Sequence, residues 1–471
     1  MTNELLSPTV RAKALSGLCG GAVHLPGDAD YDTARVAWNL AVDQRPAAVA
    51  IPRHAADVAE VVRAAADAGL RVAPQTTGHN AGPLEAQGLD DVVLVRLSAM
   101  RGVTVDPVAR TCRVEGGAQW LEAVEAAAEH GLAALHGSSP DVGIAGYSLG
   151  GGIGWYARQL GLATNSITAV EIVLADGELV RADAEENPEL FWAVRGGGGS
   201  FGIVTALELA LFPIETAYAG MMIWDHARAR EVLRTWAAWA PGAPDEVTTS
   251  FRVLSLPPLP DVPEMLRGRT IVVVDGAVLG SDEHGDELLR GLRALEPEID
   301  TFGRVPAASL VRLHMDPEGG APVVSATTML AGLPEEAIEA FLDQVGPGTT
   351  TSLLMAELRQ LGGALARPRP SHGALSTLDG QFLAFAGAMA MTPEDGARGR
   401  ADGQAFVEAL APFATGSAYL NFCENPTDPR QAYDDRTWSQ LVAIRSAVDP
   451  GGLFAANHPV PRLHQDGRRS C

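Results

Sequence analysis

Between residues 74 and 202, glycine is gathered into segments that neither a helix nor a strand can absorb. Pro74-Gln75-Thr76-Thr77-Gly78-His79-Asn80-Ala81-Gly82 comes first. Val142-Gly143-Ile144-Ala145-Gly146 and Leu149-Gly150-Gly151-Gly152-Ile153-Gly154 follow, and Arg195-Gly196-Gly197-Gly198-Gly199-Ser200-Phe201-Gly202 closes the series. Without a Cβ, glycine admits positive φ and lets backbone N–H groups approach a ligand closely. The first of these loops carries one nucleophilic imidazole, His79. Three roles are open to it: bystander, metal ligand or covalent anchor.

The pattern around the loops is α+β. Residues 55–68 show apolar spacing of helical period, Gly69 stops the helix, and Leu70–Ala73 reads as a strand leading into the His79 loop. Val92–Leu97 is a buried-type strand, Val103–Val105 with Arg113–Glu115 a hairpin, and Gln119–Glu129 a helix. Thr168–Leu174 and Glu178–Arg181 flank the turn Ala175-Asp176-Gly177. Pro188–Val194 reads as a helix capped by Asn187, and Phe201–Phe212 as a long strand. Beyond Pro213, helices are expected at 225–240, 282–295 and 398–412, with strands near 247–254, 270–278, 351–359 and 381–391: a sheet covered by helices. Pro-rich 256–263 and 367–370 read as loops, and a last helix falls near 435–447.

A chain of 471 residues exceeds one ordinary core, so two domains are the default. Net charge is -23 with only 35 basic residues, which argues against nucleic acid or an anionic membrane as partner and fits a small-molecule ligand. Cys19, Cys112, Cys423 and Cys471 form no CxxC pair, so neither a zinc site nor a disulfide framework is expected. The N-terminus has no basic region followed by an apolar run, and no apolar stretch reaches membrane-spanning length. A cytoplasmic location is expected. None of the glycine segments follows a strand, opens a helix and precedes an acidic residue as a dinucleotide fingerprint would, and there is no Walker Gly-Lys-Ser/Thr. A helix expected at Trp155–Leu160 could turn its N-terminus toward a phosphate.

Four blocks carry a more specific signal: Pro52-Arg53 to Val72 with Thr77–Gly82; Gly137-Ser138-Ser139-Pro140-Asp141-Val142-Gly143 through Gly154; Leu190 through Thr205; and Tyr419-Leu420-Asn421-Phe422 with Asp449-Pro450 to Phe454. In this order they resemble the berberine-bridge-enzyme-like branch of the vanillyl-alcohol-oxidase/PCMH flavoproteins. The resemblance implies a PCMH-type FAD-binding domain over 1–213 (core about 43–213), a substrate domain over 214–415 with an antiparallel sheet covered by helices, and a segment 416–471 returning to the FAD domain. It also implies a set of FAD-binding positions. These are Gln75, Thr76, Thr77, Gly78, Asn80, Ala81 and Gly82; Gly137, Ser138, Ser139, Val142, Gly143, Gly146 and Tyr147; Gly150, Gly151, Gly152 and Gly154; and Gly202, Ile203, Val204, Asn421 and Asn457.

His79 matches the family histidine joined to the flavin 8α-methyl. Many relatives add a second bond from the cysteine of Gly-x-Cys-Pro-x-Val-Gly, and Ser139 stands there in this chain. A hydroxyl is a far poorer nucleophile than a thiolate, so a single link through His79 is expected, with no metal. The family chemistry is hydride removal from a C–H beside oxygen or nitrogen of an alcohol, amine, sugar or secondary-metabolite intermediate. Dioxygen then reoxidises the flavin and gives hydrogen peroxide; an oxygenase or dehydrogenase on the same fold is the alternative. Tyr419 is the first candidate base and needs help, since a free phenol has a pKa of about 10; a packing role is the other option. Glu357 is the second. Alternation along Met355-Ala356-Glu357-Leu358-Arg359 puts it beside Arg359, either toward the flavin or as a solvated ion pair. Tyr147, His136, Trp155 and His314 are weaker pocket candidates, and His314 is expected at the surface.

Overall fold

The computed structural model describes residues 6–260 and 262–463. Met1 to Leu5, searched above for a leader, and residues 464–471, with Cys471, lie outside it. Three sheets organise the described chain. The first runs in the order Val23–His24, Ala48–Ala50, Val92–Arg96, Arg71–Gln75, the last three strands being parallel. Helix Ala55–Asp67 covers it, burying Val58, Val61, Val62 and Ala65 against Val72, Val93 and Val95. Strands buried on both faces read as continuous apolar runs, which is how Val92–Val95 was visible in the sequence.

The second sheet is antiparallel: Val103–Asp106, Thr111–Glu115, Ile203–Ala210, Ile167–Val173, Leu179–Asp183. The third is larger and also antiparallel, in the order Ile299–Asp300, Thr216–Asp225, Thr270–Val278, Val247–Ser255, Met355–Gln360, Phe382–Met389, Val323–Leu330. One face is a hydrophobic core. Trp236, Phe251, Phe341, Phe382 and Phe406 meet there beneath the helices Ala229–Trp239, Glu335–Val345 and Pro393–Leu410. By the two-residue period of a strand, the other face carries Asp275, Arg252, Glu357 and Arg359, together with Phe385 and Ser325.

Several expected boundaries move. The turn of helix beside the second glycine segment is Ile144–Leu149, before the glycines; after them only Ala157–Leu160 is helical, so Trp155 starts no helix. The cause is close packing: a Cβ on Gly154 would lie 1.9 Å from the His136 carbonyl oxygen, and one on Gly152 2.4 Å from the Tyr147 ring. Asn187 does precede the helix at Pro188, but in a left-handed conformation and without capping it; its Nδ2 donates to the Arg181 carbonyl. The strand expected from 351 starts at Met355, because Asp402 takes the Ser352 amide out of the ladder. The helix expected from 398 starts at Pro393, where Thr392 accepts the Asp395 amide.

The chain end returns to the first sheet. The Val72 amide donates to the Leu453 carbonyl and the Ala455 amide to the Val72 carbonyl, both at 2.8 Å. Asp449, fully buried, holds the approach: it accepts the amides of Leu453 (2.8 Å) and Phe454 (2.9 Å) and pairs with Arg445 at 2.7 Å. Removing one partner of a buried pair strands the other charge. Asp449→Ala is expected to lower the unfolding free energy by about 3 kcal/mol, read by denaturant titration.

Candidate active site

Strand Arg71–Gln75 delivers the His79 loop to a cavity of about 480 Å³. The loops 137–150 and 196–202, the polar face of the third sheet, and residues 420–424 and 456–458 complete its walls. His79 is clamped there. Its ring stacks on Trp38 at 4.0 Å and 16°. Nδ1 lies 2.7 Å from the Thr77 hydroxyl, whereas Nε2 is buried and has no hydrogen-bond partner. The nearest carboxylate is Asp141, 3.7 Å from Nε2. Asp141 accepts from the Trp38 indole (2.6 Å), the Gly319 amide (2.8 Å) and the Ser139 hydroxyl (3.2 Å). Burial works against its charge, but these donors and the imidazole hold it well below the usual carboxylate range.

Among the described residues, the amides of Thr77, Gly78, His79 and Asn80 meet no protein acceptor, nor do those of Ser138, Ser139, Val142 and Gly143. Buried N–H groups are rarely left unpaired. Two loops of unpaired donors on the wall of one cavity fit an anionic, hydrogen-bonding ligand, and His79 on the same wall keeps one ring nitrogen without a partner.

Of the positions expected to bind FAD, the cavity is lined by Gln75 to Asn80, Gly137 to Ser139, Val142, Gly143, Gly146, Tyr147, Gly150, Gly202, Val204, Asn421 and Asn457. The side chains of Gln75 and Thr76 are already engaged, by Gln44 and by the Gly116 carbonyl. Ala81, Gly82, Gly151, Gly152, Gly154 and Ile203 do not line it. Gly82 opens a helical turn against Glu424, and the three glycines pack behind the wall against Tyr419, Tyr147 and His136.

Tyr419 also stands behind the wall. Its hydroxyl accepts the Gly152 amide at 2.7 Å and Asn421 Nδ2 at 3.2 Å, and burial raises its pKa. Asn421, which does reach the cavity, is thereby fixed. His136 and Trp155 are likewise not lining residues; burial pushes His136 down to about 4, and its Nδ1 bonds the Gly137 carbonyl. Tyr147 does line the cavity, and its hydroxyl has no partner.

Glu357 and Arg359 face the cavity, but not as a solvated pair. Arg359 donates to both Glu357 oxygens at 2.9 and 3.2 Å, and both residues are buried. His314 is not at the surface: it is buried, with Nδ1 3.0 Å from Asp275 and Nε2 3.5 Å from Glu357. Arg252 pairs with Asp275 on the far side. Cations and anions therefore alternate across the wall: Arg252, Asp275, His314, Glu357, Arg359. Burial and Arg252 push His314 down, but Asp275, Asp316 and Glu357 outweigh them and raise it to about 9. Burial pushes Glu357 up, but Arg359 and His314 outweigh it and hold it well below the usual range.

Glu424 escaped the sequence reading. It lines the cavity, takes one hydrogen bond from the Ser325 hydroxyl at 2.7 Å, and has no paired cation among the described residues. Burial lifts it to about 7. Trp38, Asp141, Asp275 and Arg252 were also missed. Trp38, Asp275 and Arg252 are isolated residues with no local pattern to mark them, whereas Asp141 stood inside the Gly137–Gly143 block with no role assigned to it.

The chain is similar to known flavin-dependent proteins. Residues 46–183 match the family described as FAD binding domain. The chain is 36% identical over 205 residues to (R)-6-hydroxynicotine oxidase of Paenarthrobacter nicotinovorans, which is 43% of this chain and 44% of that one. It is 25% identical to chitooligosaccharide oxidase of Gibberella zeae over 447 residues, 89% of this chain and 88% of that one. The matched stretch thus spans under half of the hydroxynicotine oxidase. Among solved structures, 6-hydroxy-D-nicotine oxidase of Arthrobacter nicotinovorans superposes with TM-score 0.76 at 25% identity (92% and 96% of the two chains). Wild-type Physcomitrella patens BBE-like 1 does so with TM-score 0.81 at 23% identity (99% and 100%). The chain thus contains an FAD-binding domain and shares the overall fold of the berberine-bridge-enzyme-like structure. Its N-terminal part carries the FAD-binding domain, and the His79 loop lies inside it.

The wall makes stability depend on pH. The folded His314 pKa of about 9 exceeds the ordinary value of 6.5, so the contribution is complete below about 6.5 and disappears as pH rises through 9. A fall in the wild-type thermal midpoint from pH 6.5 to 9, reduced in His314→Gln, is the expected result.

Proposed function

We propose that the protein is an FAD-dependent oxidase of a small-molecule alcohol, amine or sugar, its FAD held by one covalent bond from His79. The observation that carries this reading is the buried, unpartnered Nε2 of a clamped imidazole in the wall of a cavity that unpaired amides also line. Support for the substrate class comes from relatives named as oxidases of 6-hydroxynicotine and of gluco-, xylo- and chitooligosaccharides. When bound, FAD supplies a two-electron acceptor for a substrate hydride and returns the electrons to dioxygen as hydrogen peroxide.

The chain's own residues supply the rest. The unpaired amides of Thr77 to Asn80 and of Ser138, Ser139, Val142 and Gly143 would bind the phosphates, and Asn421 would hold the ring region. No thiol stands at position 139, and Cys423 is buried with its thiol pushed up to about 11, so neither position offers a ready nucleophile for a second tether. Phe385, Phe422 and the Glu357–Arg359 pair form the substrate side. Glu357 is fixed as an anion by two cations and is a weak base. Glu424, poised near neutrality and lightly bonded, is the proposed acceptor of the substrate O–H or N–H proton.

Acid-precipitated protein is expected to give a yellow pellet, and His79→Ala a colourless one. Turnover in air should release peroxide, and a substrate oxidised without peroxide would overturn the oxidase reading. Glu424→Gln should lower kcat/KM by about 100-fold or more and abolish the rise in activity as pH increases through 7. An unchanged pH profile would remove Glu424 from the role.

A further inference from the structure

We propose that Asp141 is the positioning residue for covalent attachment of the flavin: it locks His79 in place through Trp38 and stabilises the positive charge that the imidazole acquires as it bonds. The inference rests on reading His79 as the tether. Four groups from four parts of the chain converge on this carboxylate: the Trp38 indole, the Ser139 hydroxyl, the Gly319 amide and, at 3.7 Å, His79 Nε2. Three donate hydrogen bonds to it. The fourth stands beyond hydrogen-bonding distance, so Asp141 acts on His79 by charge and through the stacked indole, whose N–H it holds. Thr77 fixes the opposite edge of the ring.

The chemistry calls for such an anion. A neutral imidazole has one lone-pair nitrogen and one N–H. A bond forms between one of its nitrogens and the flavin 8α-carbon while a C–H bond of that methyl breaks and its proton leaves to solvent. The ring is cationic until its remaining N–H is lost. The electron pair goes to the flavin and then to dioxygen, which is reduced to hydrogen peroxide. A fixed carboxylate beside the ring stabilises the cationic stage. Asp141 is suited to stay ionised, its donors outweighing the effect of burial. Ser139, where relatives place the second nucleophile, here donates to this carboxylate and so serves the one remaining anchor.

The test uses holoenzyme purified as wild type, Asp141→Asn, Asp141→Glu and Trp38→Phe. Total FAD is measured by absorbance, and attached FAD by what stays with acid-precipitated protein, followed over time with added FAD in air. Asp141→Asn is expected to bind FAD yet attach it at least tenfold more slowly. Asp141→Glu should recover part of the rate, and Trp38→Phe, which keeps the stack but loses the indole N–H, should fall between wild type and Asp141→Asn. Attachment at the wild-type rate in Asp141→Asn overturns the role of Asp141 alone. Should Asp141→Asn lose FAD altogether, an unslowed Trp38→Phe overturns it and a slowed one supports it. Wild-type protein whose flavin washes out overturns the tether reading itself.

Discussion

The strand Arg71–Gln75 is not finished by the N-terminal part of the chain. One edge pairs with Val92–Arg96; on the other, the backbone of Val72 bonds the segment around Phe454. The residues that follow this strand are the His79 loop, so the loop leaves a strand whose second edge is closed by residues more than 370 positions further on. The same return brings Asn457 Nδ2 onto the Asn80 carbonyl and places Asn421 against Tyr147. A buried edge with unpaired amides would be costly, so the segment that closes this edge also supplies part of the cavity wall.

Two carboxylates on the cavity are driven apart by their surroundings. Glu357 sits between a guanidinium and a protonated imidazole and stays an anion. Glu424 has a single hydroxyl for company and is lifted toward neutrality. Groups whose environments separate their pKa values in this way divide the work of a site between a fixed charge and an exchangeable proton. The fixed one belongs to the alternating row on the polar sheet face, which orders the wall without leaving a large net charge.

Two strands of the first sheet, its covering helix and the hairpins were legible because burial leaves a periodic trace: Val92–Val95 is continuously apolar and residues 55–68 keep a helical stripe, whereas the short strands Val23–His24 and Ala48–Ala50 leave none. The strands Thr216–Asp225 and Val323–Leu330 were not, since Ala, Gly, Ser and Thr interrupt any alternation and both depend on neighbours distant in sequence. At the site, glycine-rich loops announced themselves and His79 stood out within one. The resemblance to a family located Tyr419 but not its depth: proposed as a base, it packs against Gly151, and its hydroxyl accepts the Gly152 amide behind the cavity wall. Glu424 lies five residues further on, beyond the motif, and nothing in the sequence shows that Ser325 would be its partner. Trp38 and Asp141 are 103 residues apart, and only folding brings the indole to the carboxylate.

The account turns on one bond. Proteolysis of the denatured holoenzyme followed by mass spectrometry of every flavin-bearing peptide tests it directly. The predicted result is FAD mass on the peptide containing His79 and on no other. An unmodified His79 peptide with all of the flavin free, or flavin mass on a peptide carrying Ser139 or Cys423, would contradict it.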